Sequence, residues 1–193
     1  MNSTNDFRPL ADTDRDKALQ IFADGFKDLQ ARNHKENENV LSRQVDRTRA
    51  MLADPTAYIL GCYEDEELIG FAALTRPNEI IQHYLAKTDL SVPADIREIQ
   101  SIYVRADKQG QGYGRALIQG LLEELEKKAE AVFCTDAAFK TSQQYWTEII
   151  GTPTNRNEDY WGQGEPHMIW FARTERILDD LHDPYRPTMY TGY

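Results

Sequence analysis

Apolar residues return at helical spacing through Ala18, Leu19, Phe22, Phe26 and Leu29, the single stripe that a 3.6-residue repeat turns to one side. Thr13 with Asp16 three positions on marks where that helix starts, and a short strand over residues 7–10 precedes it. Residues 31–39 are polar and read as loop. A second helix is expected over 41–52, stopped by Asp54-Pro55 because proline brings no amide to a helix. Two apolar runs, 58–62 and 68–74, flank Asp65-Glu66-Glu67 and predict a hairpin. Residues 75–95 are ambiguous, with room for a short helix over 79–87 before Pro93. A strand follows over 96–104, then a Gly-rich turn and a helix over 112–128. That helix carries Leu117, Ile118, Leu121, Leu122 and Leu125 on one face, with Glu123/Lys127 and Glu124/Lys128 four apart on the other. A short strand over 132–135, a helix over 139–150 ending at Gly151, a weak strand near Tyr160-Trp161 and a strand over 167–172 complete the pattern. From Asp179 onward the chain reads as a tail, with Pro184, Pro187 and Gly192.

Strand, helix, strand in succession implies a right-handed crossover and parallel pairing, whereas the hairpin implies antiparallel pairing. The expected fold class is therefore α/β (α+β): a mixed sheet of about six to seven strands flanked by helices. One domain is expected over residues 1–174, with a C-terminal extension over 175–193.

Composition narrows the function. The chain has 193 residues and a net charge of −10, which argues against a nucleic-acid binder, since such proteins cluster Lys and Arg to neutralise phosphates. The spread acid excess reads either as a solubilising surface or as an attraction for a cationic partner. No apolar run approaches the roughly 20 residues that span a bilayer, and the polar start, Met1 to Asp6, lacks the apolar core of a signal peptide. No membrane association and a cytoplasmic location are the expectation. Cys62 and Cys134 sit in apolar runs and read as buried thiols, with a disulfide as the alternative. The four histidines show no ligand spacing, so no metal is expected.

The informative stretch is Gln109-Gly110-Gln111-Gly112-Tyr113-Gly114-Arg115, between a strand and an amphipathic helix. Three glycines in five residues let the backbone turn sharply with its amides uncovered. The helix that follows adds unpaired N–H groups and the positive end of its dipole. Such an arrangement suits a pyrophosphate. The glycine spacing is not that of a dinucleotide-binding fold, and no Gly-Lys-Ser/Thr follows as in a P-loop.

Gln109-x-x-Gly112-x-Gly114, preceded by Ile102-Tyr103-Val104 and followed by Ala116-Leu117-Ile118, resembles the acetyl-coenzyme A signature of the GNAT N-acetyltransferase superfamily. The order of elements over about residues 7–173 is similar as well. The resemblance implies acetyl-coenzyme A as co-substrate and an amine as acceptor. It implies that the main chain of Ile102, Tyr103 and Val104 binds the pantetheine arm where this strand splays from the next, like an added strand. The amides from Gly110 through Gln111, Gly112, Tyr113 and Gly114 to Arg115 would hold the pyrophosphate, and an N–H near Ile102 would stabilise the oxyanion. Members are frequently dimers, so a homodimer is a further expectation.

Direct transfer needs a neutral amine, and therefore a base. Glu98 is the first candidate, eleven residues before Gln109, an offset similar to the glutamate of the histone acetyltransferase branch; the alternative is a structural ion pair with Arg97 or another cation. Glu98 and Ile102 share a strand parity that Ile99 does not, which a β-bulge would reconcile. Tyr145 is the candidate acid for the leaving thiolate, although it lies six residues before Gly151 where the family usually has four; the alternative is a packed aromatic. His167 reads as a second base or a structural histidine, and Cys134 as a core thiol or, against the pattern, a nucleophile. Two other functions stay open: a non-catalytic acetyl-coenzyme A sensor, and a transferase using a longer acyl group or a hydroxyl acceptor.

Overall fold

The structure, a computed structural model, describes residues 5–183. Two compact units divide the chain. Of the described residues, one comprises those through Thr75 together with Gln100–Leu121, and the other Arg76–Ile99 together with those from Leu122 onward.

The first unit opens with β1 (Asn5–Pro9) and a single 3-10 turn leading into α1 (Arg15–Arg32). Ala18, Ile21, Phe22 and Phe26 are buried along α1, close to the predicted stripe. The helix runs past the expected loop boundary because its C-terminal end is tied down: Gln30 is buried and donates from Nε2 to the carbonyls of Lys35 and Asn37 at 3.2 and 3.4 Å. Asn37 then caps α2 (Glu38–Ala53), its Oδ1 accepting from the Val40 amide at 3.1 Å. This cap starts α2 three residues ahead of the apolar pattern.

β2 (Tyr58–Glu64) and β3 (Glu67–Thr75) form the predicted hairpin. Its turn is only Asp65-Glu66, both at positive φ (48° and 66°). Two left-handed residues match the twist of the strands they join, so Glu67 falls in β3 and not in the turn. β1 pairs antiparallel with β2, Phe7 opposite Cys62. Between helix and sheet, Tyr103 sets its ring edge-on to Phe22 at 4.8 Å and 6.3 Å from Phe71. Gly25 makes room for it, since a Cβ there would stand 2.6 Å from Tyr103 Cδ1.

The second unit holds α3 (Glu79–Leu85), β5 (Val132–Ala137), α5 (Lys140–Ile150), β6 (Asn155–Asn157), β7 (His167–Arg173) and α6 (Thr174–His182). Its core contains Ile81, Ile96, Cys134 and Ile169, with Tyr84 and Phe171 packed against them. The ambiguous segment after Thr75 thus contributes a real helix, anchored by fully buried Ile81. β5 pairs antiparallel with β7 from Val132↔Arg173 to Ala137↔Met168, and β7 with β6. Tyr160 and Trp161 are not in a strand. They stand on an exposed turn in which Asp159, Gly162 and Gly164 all have positive φ, and the extra strand is β6, just before it. The chain read as tail from Asp179 is helical through His182, because Ile177, Leu178 and Leu181 form one buried stripe on α6. The rest of that tail, residues 184–193, lies outside the described residues.

β4 (Arg97–Val104) and α4 (Tyr113–Lys127) run from one unit into the other. β4 pairs parallel with β5 at Arg97↔Phe133 and Glu98↔Cys134. Its pleat breaks at Ser101, whose φ of 56° supplies the irregularity that the parity of Glu98 and Ile102 called for. The hydrogen-bonded order of strands is β1-β2-β3-β4-β5-β7-β6, a mixed seven-stranded sheet flanked by helices. Cys62 and Cys134 are buried free thiols.

Candidate active site

The glycine stretch lies where the sequence puts it. β4 ends at Val104, a 3-10 turn spans Ala106–Lys108, and α4 begins at Tyr113. Gly110 and Gly112 have φ of 74° and 88°, and a Cβ at either would meet nothing within 4 Å. The glycines are needed for conformation and not for internal space, and they leave the backbone open on its outer side. Regular helical pairing starts with the bond from Ala116 N–H to the Gly112 carbonyl at 3.0 Å, which sets the glycine turn at the N-terminal, dipole-positive end of α4.

The Gln109 side chain turns back to the strand. Its Nε2 donates to the Val104 carbonyl at 3.0 Å, and its Oε1 accepts from Arg32 Nη2 at 3.1 Å. Gln111 Nε2 reaches the Asp107 carbonyl at 3.4 Å. Both glutamines brace the turn from within. Tyr113 is buried and donates its hydroxyl to Glu64 at 3.2 Å. Lys108 pairs with the same carboxylate and holds it below the usual glutamate range. Gly114 and Arg115 sit half-buried in the first turn of α4, and Ile102, Tyr103 and Val104 are half-buried on β4. A turn of uncovered amides at a helix start fits a pyrophosphate.

A second constellation lies in the other unit, and Glu98 is part of it. Glu98 is 1% exposed. Its Oε2 accepts from the Asn78 amide at 2.6 Å and its Oε1 from Asn78 Nδ2 at 3.0 Å. The same Nδ2 donates to Asp136 Oδ2 at 2.8 Å. Asn78 Oδ1 caps α3, accepting from the amides of Ile80 and Ile81 at 2.9 and 3.1 Å. Those two N–H donors fix which end of the Asn78 side chain is oxygen. Asp136 Oδ2 also faces His167 Nε2 at 3.0 Å, and Trp161 Nε1–H donates to His167 Nδ1 at 3.1 Å. An indole N–H can only donate, so Nδ1 is bare, Nε2 carries the hydrogen, and His167 is the neutral donor to Asp136. Burial, and the nearby Asp136 charge after it, push the Glu98 carboxyl well above the ordinary glutamate value, against the pull of the two Asn78 bonds. Buried Gln143 pins the neighbouring strand ends, donating to the carbonyls of Ala137, Ala138 and Pro166 at 3.3, 3.3 and 2.7 Å.

Tyr145 is half-buried on α5, its ring 6.0 Å from that of Trp146. Trp146 is the core residue of the two, 5% exposed. The Cys134 thiol is buried, and that burial pushes its ionisation up, which suits a core residue and not a nucleophile. Asn78, Asp136 and Gln143 are absent from the sequence reading. Their only local signal is Asn78 directly ahead of the helical pattern that starts at Glu79, a cap in the usual position.

Among the described residues, no group of three or more His, Cys, Asp or Glu is arranged to hold a metal. No described helix is long and apolar enough to cross a membrane.

Solved structures similar to this chain include proteins named as N-acetyltransferases. A GCN5-related N-acetyltransferase from Rhodopseudomonas palustris matches with a TM-score of 0.64 at 18% identity, covering 89% of this chain and 96% of its own. The PaiA N-acetyltransferase from Thermoplasma acidophilum, solved with coenzyme A, matches at 0.61 and 12%, covering 86% and 98%. The ribosomal-protein-S18-alanine N-acetyltransferase from Escherichia coli matches at 0.57 and 19%, covering 89% and 94%. At such identities the likeness is one of fold. No curated protein matches the sequence. The family itself is settled by sequence: the model of the acetyltransferase (GNAT) family matches residues 22–151, about two thirds of the chain, and the chain belongs to that family.

Proposed function

We propose that this protein transfers the acetyl group of acetyl-coenzyme A to a primary amine, of a small molecule, an antibiotic or a peptide or protein, by direct attack. The observation that carries this reading is the glycine turn at the start of α4, with Gly110 and Gly112 in left-handed conformations and open space beyond them. The amides of Gly110, Gln111, Gly112, Tyr113, Gly114 and Arg115 grip the pyrophosphate, and the main chain of Ile102, Tyr103 and Val104 takes the pantetheine arm. The coenzyme supplies the activated acetyl group.

The protein's side chains manage protons. An amine with its usual pKa is protonated near neutrality, and its excess proton must go to a base. The bridged carboxylates of Glu98 and Asp136 supply that base, and burial holds the Glu98 carboxyl above the ordinary glutamate value. Tyr145 is the candidate acid for the thiolate. A cationic acceptor is favoured by the net charge of −10 and by the exposed rings of Tyr160 and Trp161 beside His167, at 5.2 and 5.7 Å, since aromatic faces attract ammonium groups.

The test is thiol release from acetyl-coenzyme A across a panel of primary amines, with calorimetry of coenzyme binding alongside. Amine-dependent release supports the transferase. Binding with no release for any amine would instead mark a sensor, and no heat with coenzyme A at millimolar levels would end the reading altogether.

A further inference from the structure

The two bridged carboxylates are not equivalent. Glu98 is shut away: it is 1% exposed, and each of its oxygens already accepts a hydrogen from Asn78. Asp136 has a side chain 17% exposed, and both donors that reach it, Asn78 Nδ2 and His167 Nε2, converge on Oδ2. Among the described residues nothing donates to Oδ1. A base needs an oxygen that a substrate proton can reach; Glu98 is closed off by burial and engaged at both oxygens, whereas Asp136 Oδ1 carries no donor and belongs to the more exposed side chain of the pair.

We infer that Asp136 is the catalytic base, and that Asn78, Glu98 and His167 are positioning residues behind it; this inference rests on the transferase reading above. Asn78 spans the two carboxylates and fixes the rotamer of Asp136 from one side. His167 fixes it from the other, and Trp161 holds His167 in the one tautomer that can donate to Oδ2. In the transfer, the amine lone pair forms the C–N bond and the C–S bonding electrons leave on sulfur. The surplus N–H proton passes to Asp136 Oδ1. Tyr145 or water returns a proton to the thiolate. The titratable groups set against Asp136 are Glu98 from β4, His167 from β7 and Cys134 on its own strand.

The two carboxylates can be told apart by amide substitution. In Asp136→Asn the amide oxygen can accept from both Asn78 and His167 while the amide nitrogen replaces Oδ1, so the scaffold survives and the base does not. We expect kcat to fall at least about 100-fold, the acid limb of its pH profile to vanish, and KM for acetyl-coenzyme A to hold. Glu98→Gln should cost less in kcat and keep the limb. Trp161→Phe frees His167 Nδ1 for a second proton and should move the limb. If Glu98→Gln removes the limb and Asp136→Asn keeps it, or if Asp136→Asn leaves kcat intact while the unmodified protein is active, the inference is wrong although the transferase reading stands. An unmodified protein inactive on every amine overturns both. Should circular dichroism show that Asp136→Asn is unfolded, Asp136→Ala with added formate decides: restored turnover supports the inference, and its absence refutes it.

Discussion

Asn78 shows how much one short side chain can hold. Its oxygen caps α3, its two amide hydrogens bridge Glu98 and Asp136, and its own N–H reaches Glu98. Loss of a cap costs about 1 kcal/mol, and a buried acceptor left without its donor costs about 1–3 more. Asn78→Ala should therefore lower stability by about 2–4 kcal/mol, read from urea midpoints at neutral pH. The same cluster sets a pH dependence. Glu98 holds its proton to a higher pH when folded than the ordinary 4.5, so above that value the native state binds more protons than the unfolded chain. Stability falls as pH rises from about the unfolded value through the raised one. Urea midpoints between pH 4 and 8 should slope down in the natural protein and less so in Glu98→Gln. Glu98 and His167 were readable in advance only as separate candidates, and the cluster that joins them was not. Asn78, Glu98, Asp136 and His167 span ninety positions, and hydrogen bonds between such distant residues leave no periodic trace in a sequence.

Elements were far more legible, and their misreadings share a cause. The stripe through Ala18, Phe22 and Phe26, the hairpin and the glycine turn all follow from local repetition or local conformational need. Where polar contacts set a boundary, periodicity missed it: Asn37 starts α2 early, and Gln30 prolongs α1. The pair Tyr160-Trp161 has the composition of a strand, yet Asp159, Gly162 and Gly164 bend the chain around it. The glycine turn itself can be probed at a single atom. Gly112→Ala forces a Cβ onto a left-handed residue without any clash inside the protein. We expect a stability loss of about 1–2 kcal/mol, but at least a tenfold weaker affinity for coenzyme A by calorimetry, because the methyl group covers the amides. An affinity equal to that of the natural protein would mean that the diphosphate sits elsewhere.

At the level of the whole molecule, β4 and α4 belong to both compact units. A unit deprived of its half of β4 would lose a strand neighbour, so the two should not unfold in turn. The chain can report this without labels. All three tryptophans, Trp146, Trp161 and Trp170, lie in the second unit, whereas far-ultraviolet circular dichroism reads both. The two signals should trace one coincident urea transition; separated midpoints would show that sharing a strand does not couple the units.

The charges around the glycine turn have a kinetic consequence. Lys108 is committed to Glu64, Arg105 to Glu67 and Asp107, and Arg32 to Asp28. An approaching polyanion therefore meets a molecule of net charge −10 with little local cationic surplus to steer it. Encounter should be retarded at long range and rewarded only on arrival, by main-chain dipoles. Raising ionic strength shortens the reach of the repulsion to a few ångströms, so in stopped-flow mixing the association rate constant for coenzyme A should climb with added salt, the reverse of what a basic docking funnel would give.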